Sequence, residues 1–222
     1  MTKSTKTMLI ATGVGALTGA LGIRFIPKQS LASFNSEVNR IIPSILLWLL
    51  FSLYWSYAAK DSASTKSSES RASSIFHQVV ANAAILILLL PVPGLTRRFL
   101  PASNLLTAIG FVIQAAFILL AVWARRHLGR NWSAAVRIAT DHQLVRTGPY
   151  RFLRHPIYTA VFGMYIGTIL AVGEIHSLVA LAIISLAYWR KIRKEEQILQ
   201  QTFGAEFDAY RRASWALIPP LF

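Results

Sequence analysis

The residues able to do chemistry crowd into two stretches of this chain. Residues 125–158, RRHLGRNWSAAVRIATDHQLVRTGPYRFLRHPIY, hold three of the five histidines, seven arginines, two prolines and two tyrosines. Residues 190–212, RKIRKEEQILQQTFGAEFDAYRR, set Glu195 and Glu196 among basic side chains. A pocket of imidazole, phenol, guanidinium and one or two carboxylates suits a polar, nucleotide-like cosubstrate that supplies the reaction itself. Other chemistries lack their parts. The chain has no cysteine, and His127, His142 and His155 show neither HExxH spacing nor carboxylate pairing, so no metal is expected. No GxGxxG or Walker sequence is present to cradle phosphates. Glu195 and Glu196 are neighbours and are expected to point to different sides of a helix, which does not suit acid and base placed across one substrate.

The elements that must position these groups are membrane spans. Of 222 residues, 54% are hydrophobic and 14% charged, against about 25% charged in soluble domains. Mean hydropathy is +0.47. Lys and Arg outnumber Asp and Glu by 23 to 9, giving a formal charge of +14. With apolar runs of near-membrane length, that charge reads as the basic flanks of spans facing anionic lipid, and no nucleic-acid partner is expected. The fold expected is an all-α integral membrane protein of about six transmembrane helices. The spans fall at Met8–Ile26, Ile41–Ala59, Ile75–Val92, Leu105–Ala124, Ile157–Val172 and His176–Trp189. The last two are separated by Gly173-Glu174-Ile175 and form a tight helical hairpin. Residues 1–104 read as an amino-terminal membrane region with three spans. Residues 105–222 read as a catalytic region of span, polar loop, hairpin and amphipathic tail.

An inside amino terminus places 18 of the 23 basic residues on one side of the membrane, so both termini and both polar stretches are expected on the cytoplasmic face. There they converge on one pocket above the hairpin. Gly148-Pro149 forces a turn. Pro156 needs no amide donor and can open a helix, which puts Arg154 and His155 at its mouth and Tyr158 in its first turn. Asp61–Ser74 reads as a polar loop, and Glu174 and His176 as solvated residues of the far turn. Arg125, Arg126 and Arg137 read as interfacial anchors. Trp48, Tyr54 and Trp55 read as packing or interface residues. Asn82 and Gln114 are the only polar residues expected at mid-membrane depth, which is thin support for a transport pathway.

HQLVRTGPYRFLRHPIY, followed about 36 residues later by EEQILQQTFGAEFDAYRR, resembles the isoprenylcysteine carboxyl methyltransferase family. Phospholipid methyltransferases are similar in the same places. The resemblance covers roughly residues 120–219. It implies a membrane enzyme that binds S-adenosyl-L-methionine at the cytoplasmic face and admits a lipophilic or lipidated substrate from the bilayer. On the matching positions it implies that His142, Gln143, Leu144 and Val145 wrap the cofactor. Gly148 and Tyr150 of the GP turn, then His155, Pro156, Ile157 and Tyr158, contact it. Glu195, with Glu196, supplies the cofactor-binding carboxylate. The basic group that meets the substrate carboxylate falls on Lys191, where arginine is usual, with Arg190 adjacent and Arg154 a second candidate. A carboxylate acceptor of isoprenylcysteine type is the reading taken; an amine or another lipophilic acceptor fits the same pocket. Two rivals remain: an NADPH-dependent reductase of the sterol-reductase type, and a non-enzymatic membrane protein.

Overall fold

In hydrocarbon every backbone amide must be satisfied within its own segment, so apolar runs of span length fold as helices. The computed structural model describes residues 28–58, 71–129 and 144–218. The expected span Met8–Ile26, residues 61–70 of the expected loop, Asn131 to Ser133, Arg137, and the site candidates His142 and Gln143 lie outside the described residues. Among the described residues the order is α1 (Lys28–Ala58), α2 (Arg71–Leu89), α3 (Asn104–Leu128), a 3₁₀ turn (Gly148–Arg151), α4 (Pro156–Val172), α5 (Ile175–Phe203) and α6 (Ala205–Arg212). The only sheet-like pairings described are two isolated bridges, Arg98 with Glu174 and Leu153 with Trp215. Residues 1–39 and 40–222 form two units, and the site lies within the second.

Among the described residues four helices are long and apolar enough to cross a membrane: α1 from Arg40, α2 from Ala72, α3 and α5. The chain is a multi-pass membrane protein. α2 begins at Arg71, so residues 71–74, expected in the loop, are helical. It ends at Leu89, ahead of Pro91 and Pro93-Gly94. Ser103 caps α3, its hydroxyl accepting from the Leu106 amide at 3.4 Å. α4 has 17 residues, a length of about 25 Å. Twelve of them are buried, which makes α4 the central helix.

A two-residue turn joins α4 to α5, and Gly173 takes the left-handed conformation there (φ +69). The arms of this hairpin then find different partners. α4 packs most extensively along α3, and α5 along α2, with much slighter contact between α4 and α5. Glycine makes the first pairing possible. A Cβ on Gly110 would collide with the Gly167 carbonyl, and one on Gly167 with the Gly110 carbonyl. α1 joins the core through Trp48, whose indole N–H donates to Thr168 Oγ1 at 3.1 Å and whose ring meets Tyr165 edge-on at 5.4 Å. Gln114 also turns inward, donating to the Ser44 carbonyl at 3.4 Å. Trp48 and Gln114 are thus packing residues.

At the turn between α4 and α5, Glu174 and His176 are not solvated. They are 8% and 2% exposed. His176 Nδ1 lies 2.7 Å from the Ile87 carbonyl and Nε2 lies 3.1 Å from Glu174 Oε2. The α2–α3 connection covers them. Ile175 and His176 donate their amides to the carbonyls of Arg97 and Leu95, and Phe99 donates to that of Gly173. A turn read alone shows no such cover, because it comes from residues some eighty positions earlier.

Candidate functional site

The site lies at the end of the bundle where α1 and α3 finish and α4 begins, beside the polar extension of α5. Pro156 opens α4 and His155 occupies its N-cap position. The residue before a proline is pushed out of the helical region, and His155 has φ −125 and ψ 58. That turns its ring toward α5. There α5 continues unbroken past Trp189, so Tyr188, Lys191, Glu195 and Glu196 ride on one rigid helix with the membrane span.

His155 is sandwiched by the acidic pair. Nδ1 lies 3.5 Å from Glu195 Oε2, and Nε2 lies 3.3 Å from Glu196 Oε1. The expectation that Glu195 and Glu196 diverge is therefore corrected. Adjacent helical residues differ by about 100°, and that angle lets two carboxylates flank one ring placed between them. The ring is 5% exposed at its side chain. Burial alone would disfavour its charged form, but hydrogen bonds to Glu195 and then Glu196 outweigh it and hold its pKa above the ordinary histidine value. Protonated, it donates from both nitrogens.

Aromatic rings wall this charge cluster. Tyr158 stacks on His155 with centroids 5.5 Å apart and donates its hydroxyl to Glu195 Oε1 at 2.5 Å. Tyr188 packs on Tyr158 at 4.6 Å, and Phe162 meets Tyr188 at 5.7 Å. Lys191 Nζ sits 5.7 Å above the Tyr158 ring. Tyr188, missed in the sequence, lies one and two turns before Lys191 and Glu195; counting back by helical period from Glu195 reaches it.

A second shelf is built by the GP turn. Tyr150 is buried with Ala124 and Ile157, and Val145 packs against them; Leu144 beside it is half-buried. Burial, and next the neighbouring Tyr210, push the Tyr150 phenol above the usual tyrosine range. Gly148 has φ +58, and a Cβ there would stand 2.7–2.9 Å from three atoms of the His127 imidazole. Gly148→Ala should cost about 1–2 kcal/mol for the left-handed backbone alone, with the His127 collision added. A thermal unfolding midpoint unchanged from the parent would overturn that reading. His127 itself hydrogen-bonds Thr147 Oγ1 at 2.7 Å and stacks on Tyr150. It belongs to the shelf.

The basic candidates divide. Arg154 donates Nε to Glu196 at 2.8 Å and Nη1 to the Arg211 carbonyl at 3.1 Å and to that of Ser214. It is engaged in holding the carboxyl-terminal tail. Arg190 points the other way, to Ser73 Oγ at 2.9 Å and over the Phe76 ring. Lys191 is the one of the three placed over the aromatic wall. Arg125 is not a surface anchor: it is 4% exposed and donates to the carbonyls of Gly129 and Ala58, capping α3 and α1 together. Among the described residues no group of three or more His, Cys, Asp or Glu could hold a metal.

Residues 108–201 match the description "Isoprenylcysteine carboxyl methyltransferase (ICMT) family". The matched segment, less than half of the chain, is similar to that family. It takes in α3 from Ala108, the GP turn, α4 and α5 as far as Gln201, and with them the His155 cluster and the shelf around Tyr150. The protein-S-isoprenylcysteine O-methyltransferase of Saccharomyces cerevisiae is 31% identical over 121 residues, 53% of this chain and 51% of that one. The nickel-cobalt-cadmium resistance protein NccN of Alcaligenes xylosoxydans xylosoxydans is 36% identical over 97 residues, 42% of this chain and 45% of that one. The chain spans about half the length of the curated relatives it matches. A solved structure described as the eukaryotic intramembrane Ras methyltransferase ICMT covers 97% of this chain and 94% of its own, with a TM-score of 0.49 and 18% identity. The printed names of these relatives cover both protein methylation and metal resistance, so likeness alone leaves the acceptor open.

Proposed function

We propose that this chain is a membrane methyltransferase that uses S-adenosyl-L-methionine and methylates the carboxylate of a lipophilic acceptor of isoprenylcysteine type. The observation that carries the reading is the closure of Glu195 and Glu196 on His155 inside a wall of Tyr158, Tyr188 and Phe162. The donor set fits the cofactor. Aromatic faces receive a sulfonium cation, and a fixed carboxylate such as Glu195 accepts from ribose hydroxyls or an amino group. S-adenosyl-L-methionine supplies an activated methyl group when bound. The protein's part is alignment, since displacement at carbon gains much of its rate from orientation.

In this reading Tyr158 and Tyr188 would supply the aromatic wall that receives the sulfonium, Glu195 would hold the cofactor's polar end, and Lys191 would draw the acceptor carboxylate. Such an acceptor is ionised near neutrality, so no general base is required. His155 then serves by neutralising the acidic pair. Tyr150, Gly148, Leu144 and Val145 form the shelf below, with His142 and Gln143 preceding it in the chain. The basic end of the bundle is cytoplasmic, following the excess of Lys and Arg there. Residues 105–222 are the catalytic region.

Calorimetric titration of the detergent-solubilised chain with S-adenosylhomocysteine tests this. Micromolar binding is expected. Glu195→Gln should weaken it roughly 10- to 100-fold, the range for losing a hydrogen bond to a charged group. Tyr158→Phe should weaken it less. NADPH should give no heat. NADPH binding in place of S-adenosylhomocysteine would overturn the methyltransferase and favour a reductase.

A further inference from the structure

A second feature lies on the same end of the bundle, outside the His155 site. The chain after α6 returns as an extended strap along the segment that leads into α4. Trp215 donates its amide to the Phe152 carbonyl at 2.9 Å, Arg154 to that of Trp215 at 2.8 Å, and His155 to that of Ala216 at 3.1 Å. Extended chain alternates its faces, so Ser214 and Ala216 are buried while Trp215 and Ile218 point out, 44% and 45% exposed. Phe152, paired with Trp215 through its backbone, is 59% exposed.

The depth of this strap is set by α4. At about 25 Å, α4 is shorter than the hydrocarbon core of about 30 Å, so its first turn stands close to the membrane boundary and not out in water. Thr159, in that turn, donates its hydroxyl to the Leu217 carbonyl at 2.7 Å. Trp215, Phe152 and Ile218 therefore lie at headgroup level, where tryptophan is enriched.

Beside them is a pocket of about 430 Å³ lined by Arg146, Arg151, Phe152, Ala209, Tyr210 and Ala213. None of His155, Tyr158, Lys191 or Glu195 lines it, and the Tyr210 hydroxyl turns away to donate to the Tyr150 carbonyl at 2.7 Å. Arg146 meets Glu206 at 2.9 Å, but both side chains are nearly half exposed, and a surface pair of this kind yields to a better anion at little cost. Arg151 lies 5.7 Å from the Phe152 ring centre. Arg211 and Arg212, at the end of α6, are exposed just beyond.

We propose that the strap is an interfacial anchor and that its Arg146–Arg151 pocket takes the phosphate of an anionic phospholipid from the surrounding bilayer. Guanidinium groups bind phosphate through paired, charge-assisted hydrogen bonds. The outward aromatic and aliphatic side chains require an occupant joined to acyl chains, which a soluble anion is not. This inference rests on membrane placement and is independent of the reaction catalysed.

The test is native mass spectrometry of the detergent-solubilised full chain titrated with phosphatidylglycerol or phosphatidylcholine. Two basic residues at about 1 kcal/mol each predict retention of phosphatidylglycerol at roughly tenfold or more lower concentration. Arg146→Gln with Arg151→Gln should remove that preference while leaving S-adenosylhomocysteine binding and the unfolding midpoint unchanged. Trp215→Ala should weaken both lipids together. Millimolar inorganic phosphate should not displace the lipid. A preference that survives the double substitution overturns the proposal, and so does displacement by phosphate, which would make the pocket a soluble-anion site. Loss of S-adenosylhomocysteine binding in the parent protein would instead bear on the proposed reaction alone.

Discussion

His155→Ala is expected to lower stability by about 3–5 kcal/mol, the usual cost of removing one member of a buried charged group. It should also abolish S-adenosylhomocysteine binding. The substitution leaves Glu195 and Glu196, consecutive on α5, facing each other across the gap where their common partner stood. Arg154 still compensates Glu196. Glu195 keeps the neutral Tyr158 hydroxyl and the charge of Lys191 one turn before it, but loses the imidazolium beside it. The same arrangement fixes a pH dependence. The folded pKa of His155 is raised above its ordinary 6.5. A group raised on folding contributes stability that is fully present below the unfolded pKa and is lost as pH climbs through the folded one. The unfolding midpoint of the parent protein should therefore fall as pH rises from about 6.5 through that raised value. In His155→Gln, which keeps a hydrogen-bonding side chain but cannot carry the proton, this component of the slope should vanish. A slope that persists in His155→Gln would show that another group titrates, and that the acidic pair is not held by an imidazolium.

What the sequence showed of this site was its local logic. Gly148-Pro149 and His155-Pro156 fix backbone regardless of context, so the turn and the start of α4 were readable where they occur. Span-length apolar runs were readable for the same reason: the solvent, not a partner, dictates helix. Pairings between distant segments were not. Nothing local to Glu174 and His176 reveals that residues 95–100 fold over them, so they read as solvated and prove buried. Arg125 reads as one more basic flank, yet it caps two helix ends, and one of its acceptors is Ala58, 67 residues away. The strap over residues 214–217 follows a helix end and carries no periodicity of its own. Its partners, the carbonyl of Phe152 and the amides of Arg154 and His155, are backbone groups that any sequence would offer. The acidic pair is the instructive case. Rotation about a helix separates Glu195 from Glu196 by about 100°, but the ring on which they converge stands at the cap of α4 and is invisible from α5 alone.

The second large effect is expected far from this site. Gly167→Ala should destabilise the protein by about 1–3 kcal/mol, the range for overpacking a filled core, and should weaken S-adenosylhomocysteine binding as well. The added methyl meets the Gly110 carbonyl and the Gln114 amide, which are backbone atoms of α3 and cannot rotate away. Relief requires α3 and α4 to separate along their most extensive contact. α4 carries His155 at its cap and Tyr158 in its first turn, whereas Glu195 stands on α5, which packs mainly against α2. Moving α4 thus changes the spacing of the cluster from one side only. Gly163, one turn earlier on α4, separates this account from a general intolerance of bulk. A Cβ there also collides, but with the Phe117 ring. Side chains can yield, so Gly163→Ala should be rescued by Phe117→Leu, while trimming side chains on α3 should not rescue Gly167→Ala. Recovery of Gly167→Ala by such trimming would mean that the two helices are held apart by side chains and not by their backbones. The coupling of α4 position to the site would then lose its basis.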